Sequence, residues 1–496
     1  MRRGIASSLA WRRGTVLTAF CGLALTGQAM LACGSKPETK LPETPAVRSP
    51  RQRADELLSR MTLEEKLSMV HGTGFALGAG YAGRVPGNSR LGIPDLYMAD
   101  GPIGVGNGST GVTAFPAAVN QAATWDPEMI RRFGKALGEE QAGKGHNVAL
   151  APTINIVRTP EWGRAFETFS EDPYLTGQAS VAEIKGIQSQ HVIAAVKHFA
   201  GNNQEAERFF IDARVPERAL QEIYLPAFKA SVKAGVGSVM CSYNRLNGDY
   251  ACENASLLKD TLKEGWGFQG FVMSDWYATH STVKSANAGL DMEMPSGTEF
   301  GFPEYFTGAL KQAVESGEVS AATLDDKVRR ILTAMFDVGL IDHPTTGTAA
   351  ANVSTPEHHR LSQQLAEQGM VLLKNAGEVL PLDVQKVRSL VVIGDAADAG
   401  AQYMGSGSAA VLSSRAISPL AGITTRAGNT LSVTYQQGTA GTRALPLIPS
   451  TALTPSSGSG NGLLRTDYAS GDFSGTPVST KVEPGIDFAL PVALVP

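Results

Sequence analysis

Three apolar runs in this chain each end in side chains able to do chemistry. Residues 192–196 lead into Lys197-His198, 237–241 into Ser242-Tyr243-Asn244, and 270–273 into Ser274-Asp275-Trp276. Together these endings offer an ammonium, an imidazole, a phenol, a carboxylate and an indole, enough for nucleophilic or acid–base work on a polar substrate. Each also has a plainer explanation. An Asp before Trp can cap the next helix, and Lys197-His198 can be a solvated strand end. One such ending would say little, but three in succession point to a site. Two other chemistries fit poorly. The 8 histidines lack the paired spacing of metal ligands. Gly405-Ser406-Gly407-Ser408 lacks both a dinucleotide fingerprint and the lysine of a phosphate loop. Neither metal nor cofactor is expected.

The elements that would position these residues alternate in type. Thr62-Leu63-Glu64-Glu65 is a capping box, and Asp126-Pro127 opens a helix with Ile130, Phe133 and Leu137 on one face. Leu220, Ile223, Tyr224 and Phe228 form a third stripe closed by Gly235; Leu324, Val328, Ile331, Leu332 and Phe336 form a fourth. Continuous apolar strands between such helices imply a parallel sheet covered on both faces. Polar clusters at the C-terminal ends of its strands are how the active face of a (β/α) barrel reads. This pattern fills residues 51–342. Residues 343–356, rich in Pro, Thr and Ala, read as a linker. A second α/β unit is expected over 357–438, with a helix at 361–369 and short apolar runs at 371–373 and 390–393. From 439 to 496 the chain turns to Ser, Gly and Thr, and 478–488 suggests strand.

At 496 residues, 43% hydrophobic and 18% charged, this is a globular chain of two or three domains. A net charge of -4 and the lack of a long basic stretch argue against nucleic acid as a partner. Residues 1–33 read as an export signal, with Arg2, Arg3, Arg12 and Arg13 ahead of an acid-free apolar run. The run ends in Leu31-Ala32-Cys33-Gly34, which resembles a bacterial lipoprotein cleavage box with Cys33 as the lipidated residue. An ordinary signal peptide or a twin-arginine signal is the alternative. Residues 34–50 then form a tether. The expected location is periplasmic or cell-surface, with membrane contact only through the lipid. Of the 4 cysteines, Cys241 and Cys252 remain, a candidate disulfide or two small buried thiols.

Two longer stretches are more specific. One runs from Asn155 through Arg158-Thr159-Pro160-Glu161-Trp162-Gly163-Arg164 to Ser170-Glu171-Asp172-Pro173. The other is Lys197-His198-Phe199-Ala200-Gly201-Asn202-Asn203-Gln204-Glu205-Ala206-Glu207-Arg208. With Asp100-Gly101-Pro102 before them and Ser274-Asp275-Trp276 after, they closely resemble glycoside hydrolase family 3, from about residue 55 to at least 425. The resemblance implies a (β/α)8 TIM-type barrel followed by an αβα sandwich, and retaining hydrolysis of β-linked sugars without a cofactor. Asp275 is similar to the family's nucleophile. Asp100, Arg164, Lys197, His198 and Arg208 are similar to the residues that hold sugar hydroxyls, Tyr243 to the phenol beside the nucleophile, and Trp276 to an aromatic wall. Such a nucleophile must be ionised, and the nearby Arg and Lys charges would lower the pKa of Asp275. Arg164 and Glu167 could instead be a structural ion pair. Ser274-Asp275-Trp276 and Asp100-Gly101-Pro102 are similar to the β-glucosidase branch, which implies a β-glucoside or oligosaccharide substrate. A β-xyloside is the alternative, and a catalytically impaired carbohydrate-binding fragment is the alternative of another class. The motifs do not speak to oligomeric state.

The chain also departs from the family. Its acid/base is usually a Glu in the second α/β domain, yet Glu367 and Glu378 lie too early and Glu483 lies in a segment foreign to that domain. Residues 462–488 resemble the opening strands of a PA14 domain, a β-sandwich that some members carry as an insert. The expectation is a truncated chain whose acid/base lies beyond Pro496.

Overall fold

The computed structural model describes residues 48–74, 80–296, 302–383, 385–439 and 447–485. The expected export signal, Cys33 and most of the tether lie outside them. The capping box forms at the start of helix α1 (Leu63–Met69): Glu65 N donates to Thr62 Oγ1 and Thr62 N to the Glu65 carboxylate. Helix α2 (Pro127–Gly143) is capped by Asp126, whose Oδ1 accepts from Glu128 N at 3.0 Å and Met129 N at 3.1 Å. Its Ile130, Phe133 and Leu137 are buried, as the spacing predicts. Helix α3 (Pro173–Gln188) repeats this Asp-Pro start from Asp172. The two helices pack backbone to backbone at Gly134 and Gly186. A Cβ at either position would lie 2.3 Å from a carbonyl oxygen of the facing helix, so only glycine permits this approach.

One sheet organises the first part of the chain. Its strands, in spatial order, are β1 (Gly83–Val85), β2 (Leu96–Asp100), β3 (Val148–Leu150), β4 (Ile193–Phe199), β5 (Ser238–Cys241) and β6 (Phe271–Ser274). Strands β2 to β6 run parallel, and every residue of β4, β5 and β6 is buried. Single bridges carry the pairing onward: Met273 with Met292, His71 with Glu293, and Thr73 with Arg84 of β1. The backbone pairing therefore returns to its starting strand. This corrects the expected (β/α)8 repeat. Among the described residues this sheet holds six strands and two bridging stretches, not eight β/α units. The departure is local: β1 meets β2 as an antiparallel hairpin, and a hairpin, unlike a parallel pair, needs no crossover helix.

The third apolar stripe is also not one continuous α-helix. A π-turn over Leu220–Tyr224 precedes helix α4 (Pro226–Lys233), because Pro226 has no N–H to continue the ladder. Helix α5 (Ala321–Asp337) buries Leu324, Val328, Ile331, Leu332 and Phe336. The expected linker has no regular element over 343–355, but it is strapped to the barrel. Lys144 Nζ donates to the carbonyls of Ala349 and Ala351, and Val353 N to Gly111 O.

The second segment begins with helix α6 (Pro356–Gln368), capped by Thr355 and so starting five residues before the expected 361. Residues 371–373 form no strand and are exposed. Strand β7 (Ser389–Ile393) pairs in parallel with β8 (Ser432–Gln436), and helix α7 (Pro419–Ala427) packs beside β8. Farther on, β9 (Leu463–Asp467) and β10 (Ser479–Glu483) form an antiparallel pair.

A titratable latch joins α6 to the barrel. His358 Nδ1 lies 2.7 Å from Glu140 Oε1, and Nε2 lies 3.2 Å from Glu139 Oε2. Burial opposes the imidazolium, but bonds to the two carboxylates outweigh it and raise the His358 pKa. A raised histidine pKa contributes stability that is complete below about pH 6.5 and is lost as pH climbs through the folded value. His358→Gln is therefore expected to lower the melting temperature most in mildly acidic buffer, with the gap to wild type closing as pH rises. A gap that stays constant across that range would refute the latch.

Candidate active site

Parallel register brings the strand ends together. Asp100 pairs with Leu150, Phe199 with Cys241, and Cys241 with Ser274, so Asp100, Lys197-His198, Tyr243 and Asp275 all lie at the C-terminal rim. The loop after β5 is closed by a disulfide between Cys241 and Cys252, with Cα atoms 5.2 Å apart. Asp275 N donates to Cys241 O at 3.0 Å, which ties the carboxylate-bearing residue to that strand. Its Oδ1 accepts from Trp276 N at 2.8 Å, and the Tyr243 phenol lies against the same carboxylate. Oδ2 is buried, 3.7 Å from His198 Nε2, and has no hydrogen-bond donor among the described residues.

Around this acceptor stand three ion pairs. Lys197 Nζ meets Asp100 Oδ1 at 3.0 Å, and Asn107 brackets Asp100 by donating to Oδ2 and accepting from its backbone N–H. Arg164 grips Glu167 through Nε at 2.8 Å and NH2 at 2.6 Å. Arg208 meets Glu205 at 2.7 Å, and Trp162 Nε1 donates to the same carboxylate at 2.9 Å. The Arg208 guanidinium also lies over the rings of Phe209 and Tyr243, at 4.8 and 5.1 Å. Trp276 is fixed by Nε1 donating to Ala82 O at 3.1 Å.

His198 is oriented by Asn155, whose Oδ1 accepts from the His198 backbone N–H at 2.8 Å and lies 3.0 Å from Nδ1. Burial, followed by the charges of Arg164, Lys197 and Arg208, holds the imidazole well below its ordinary pKa. The network therefore assigns the single ring proton to Nδ1 and leaves Nε2 as an acceptor facing the site.

The balance at Asp275 differs from the sequence expectation. Burial is the largest influence and raises its pKa; Arg164, the Trp276 amide, Lys197 and Tyr243 pull it down without cancelling that rise. The reason is visible in the pairs: each nearby cation already has its own carboxylate.

All seven binding candidates and Asp275 thus meet at one rim, and several partners complete the site. Glu167, weighed from sequence only as half of an ion pair, is both that and part of the site. Asn107, Asn155, Trp162 and Glu205 are further members, the last three within the stretches that carry the family resemblance. Ser408 comes from the second segment, donating to Glu167 Oε1 at 2.6 Å and accepting from Arg164 NH2 at 3.0 Å. The Gly405-to-Ser408 loop reaches this rim by close packing, since a Cβ on Gly405 would meet the Phe166 ring at 2.4 Å. Ala409 and Val411, just beyond it, are buried in the same core.

Residues 80–334 match the glycosyl hydrolase family 3 N-terminal domain, and residues 370–483 match the C-terminal domain of that family. The chain belongs to glycoside hydrolase family 3. Relatives include a beta-glucosidase of Rhizobium radiobacter, 44% identical over 391 residues, which are 77% of this chain and 46% of the relative. Beta-glucosidase B of Emericella nidulans is 39% identical over 402 residues, 79% of this chain and 46% of the relative. Among solved structures, the beta-glucosidase DesR of Streptomyces venezuelae, in complex with D-glucose, superposes with a TM-score of 0.71 at 40% identity. That match covers 78% of this chain and 50% of DesR. The beta-D-glucoside glucohydrolase of Trichoderma reesei gives a TM-score of 0.75 at 38% identity, covering 78% and 57%. The chain spans about half the length of the curated relatives it matches.

The pKa shift has a stability consequence. For a carboxylate whose folded pKa is raised, stability is highest while the group is protonated and declines as pH rises from its unfolded value, about 3.9, through the folded value. Asp275→Asn, which keeps an acceptor for the Trp276 amide without the charge, should melt above wild type at about pH 7. The difference should vanish near about pH 4. Calorimetry of both proteins across that range checks it, and a variant that melts below wild type at neutral pH would contradict the reasoning.

Proposed function

We propose that this family 3 chain is a retaining β-glycosidase that hydrolyses terminal non-reducing β-D-glucosyl residues through a covalent glycosyl-enzyme on Asp275. The observation that carries this reading is Asp275 Oδ2: a buried carboxylate oxygen without a donor, surrounded by side chains suited to sugar hydroxyls. An anomeric carbon seated against Oδ2 would receive its lone pair as the aglycone leaves. The paired side chains are already oriented, so binding hydroxyls costs them little reorganisation. The beta-glucosidase names of the relatives favour a glucoside over a xyloside.

Leaving-group protonation is the open step. Glu167 is held by Arg164 and Lys197 at a pKa of about 2, despite the opposing effect of burial, so it carries no proton to give. Glu205 is occupied by Arg208 and Trp162. General acid catalysis is worth about 10²–10⁴-fold for a poor leaving group, so aryl glucosides with acidic phenols, which need no such proton, isolate the step at Asp275. Location outside the cytoplasm, with Cys33 as the lipid anchor, belongs to the same proposal. The Cys241–Cys252 disulfide supports it, because such bonds persist in oxidising compartments. The PA14-like reading of residues 462–488 gains no support, because the match of residues 370–483 to the family 3 C-terminal domain takes in both β9 and β10.

Incubation with a 2,4-dinitrophenyl 2-deoxy-2-fluoro-β-glucoside should add one fluoroglucosyl mass to the protein, on the peptide containing Asp275. Asp275→Asn should remain unlabelled. Folded protein that takes no label, or takes it on another residue, would sink the assignment. Faster labelling by the xylose reagent would move the substrate to xylosides.

A further inference from the structure

Glu167 is an unusual place to bury a charge. It is 1% exposed and carries a full negative charge, and its partner Arg164 also lies in the field of the Asp275 carboxylate. Four hydrogen bonds converge on it. Arg164 supplies two, and the others come from Ser408 Oγ at 2.6 Å and Thr153 Oγ1 at 3.0 Å. Three of these fall on Oε1 alone. Arg164 NH2 also donates to Ser408 Oγ at 3.0 Å, so Arg164, Glu167 and Ser408 form a closed triangle.

The triangle determines what Arg164 can offer a ligand. A guanidinium has five N–H donors: one on Nε and two on each terminal nitrogen. The bonds to Glu167 and Ser408 use Nε and both protons of NH2, leaving the NH1 pair. The planar fork cannot turn without breaking the bidentate contact, so the free edge has one direction. The third corner, Ser408, lies 241 residues along the chain from Glu167, in the loop by which the second segment reaches the barrel rim.

We propose that Glu167 is a positioning residue that presents the NH1 edge of Arg164 to one hydroxyl of the sugar, and that Ser408 makes this presentation depend on the second segment being seated. The inference rests on the glycosidase reading for the identity of the ligand, and on the triangle for everything else. If the loop lifts away, Arg164 NH2 and Glu167 Oε1 each lose a partner, and the fork is free to rotate.

Two measurements on the full chain test this, one of which needs no turnover. Phenylglyoxal must react with the terminal nitrogens of a guanidinium, so peptide mapping after treatment reports on the triangle directly. Arg164 should be protected in wild type, and should become reactive in Glu167→Gln and, to a lesser degree, in Ser408→Ala. Equal protection in all three, with melting curves showing them folded, overturns the proposal. The second measurement uses activated 2-fluoroglucoside alongside 3-, 4- and 6-deoxy analogues of an aryl glucoside. Arg164→Lys identifies the hydroxyl whose removal makes that substitution costless. Glu167→Gln should slow reaction with the fully hydroxylated substrate about 10- to 100-fold and cost little with that same deoxy analogue. Ser408→Ala should follow the same profile with a smaller loss. A Glu167→Gln penalty spread evenly over all the analogues would mean general structural damage and would refute positioning. Wild type that reacts with no glucoside would count against the glycosidase reading, and the phenylglyoxal map would still decide the positioning claim.

Discussion

A carboxylate buried without its own counterion is the constraint around which the rest of this molecule is arranged. Moving a charge out of water is costly unless partners compensate, and among the described residues Asp275 is hydrogen-bonded by a backbone amide and a phenol alone. The cations nearby are not free to neutralise it. Lys197 belongs to Asp100, Arg164 to Glu167 and Arg208 to Glu205. Each pair contributes a field but little net charge, so burial dominates at Asp275 and its pKa rises. The same pairing holds each cationic end in a fixed place.

Holding such a cluster requires a rigid frame. The parallel sheet supplies it, because its central strands pair with neighbours on both sides while the residues of β4, β5 and β6 are buried throughout. Pairing that returns to β1 through the bridges at 71–73 and 292–293 leaves the sheet without a free edge at that side. The glycine contact between α2 and α3 brings two helices close on the outside. Helix α6, the strap at 343–355 and the loop at 405–411 then lie on this frame and are held by specific polar contacts, Lys144, His358 and Ser408 among them. The second segment has less of its own to rest on. Its two-stranded parallel sheet leaves Val391 54% and Ile393 70% exposed, whereas parallel sheets usually bury both faces. Its firmest attachments are therefore those it makes to the barrel.

Much of this was legible in the sequence, for local reasons. Asp-Pro helix starts, the Thr62 capping box and the apolar stripes of α2 and α5 report themselves within a few residues, because caps and helical periodicity are short-range. The three polar strand endings and the family motifs likewise located the rim residues. Where prediction went astray, one cause was local and the others lay in strand pairing. Residues 371–373 are apolar enough for a strand but have no strand beside them, so they stay exposed. The stripe at 220–228 was broken by a single proline. The eightfold barrel repeat was replaced locally by a hairpin and two bridges, a matter of pairing that no single strand records.

The sequence by itself determined which residues could do chemistry, the family they belong to, and the order in which they meet the sheet. These follow from side-chain type and short-range pattern. Only the tertiary structure decided how the charges are shared: that Glu167 holds Arg164, that Ser408 from the second segment closes that pair, and that Asp275 consequently keeps a raised pKa among three cations. Coulomb energies depend on distance and burial, and both are set by which residues the fold brings together, not by their separation along the chain.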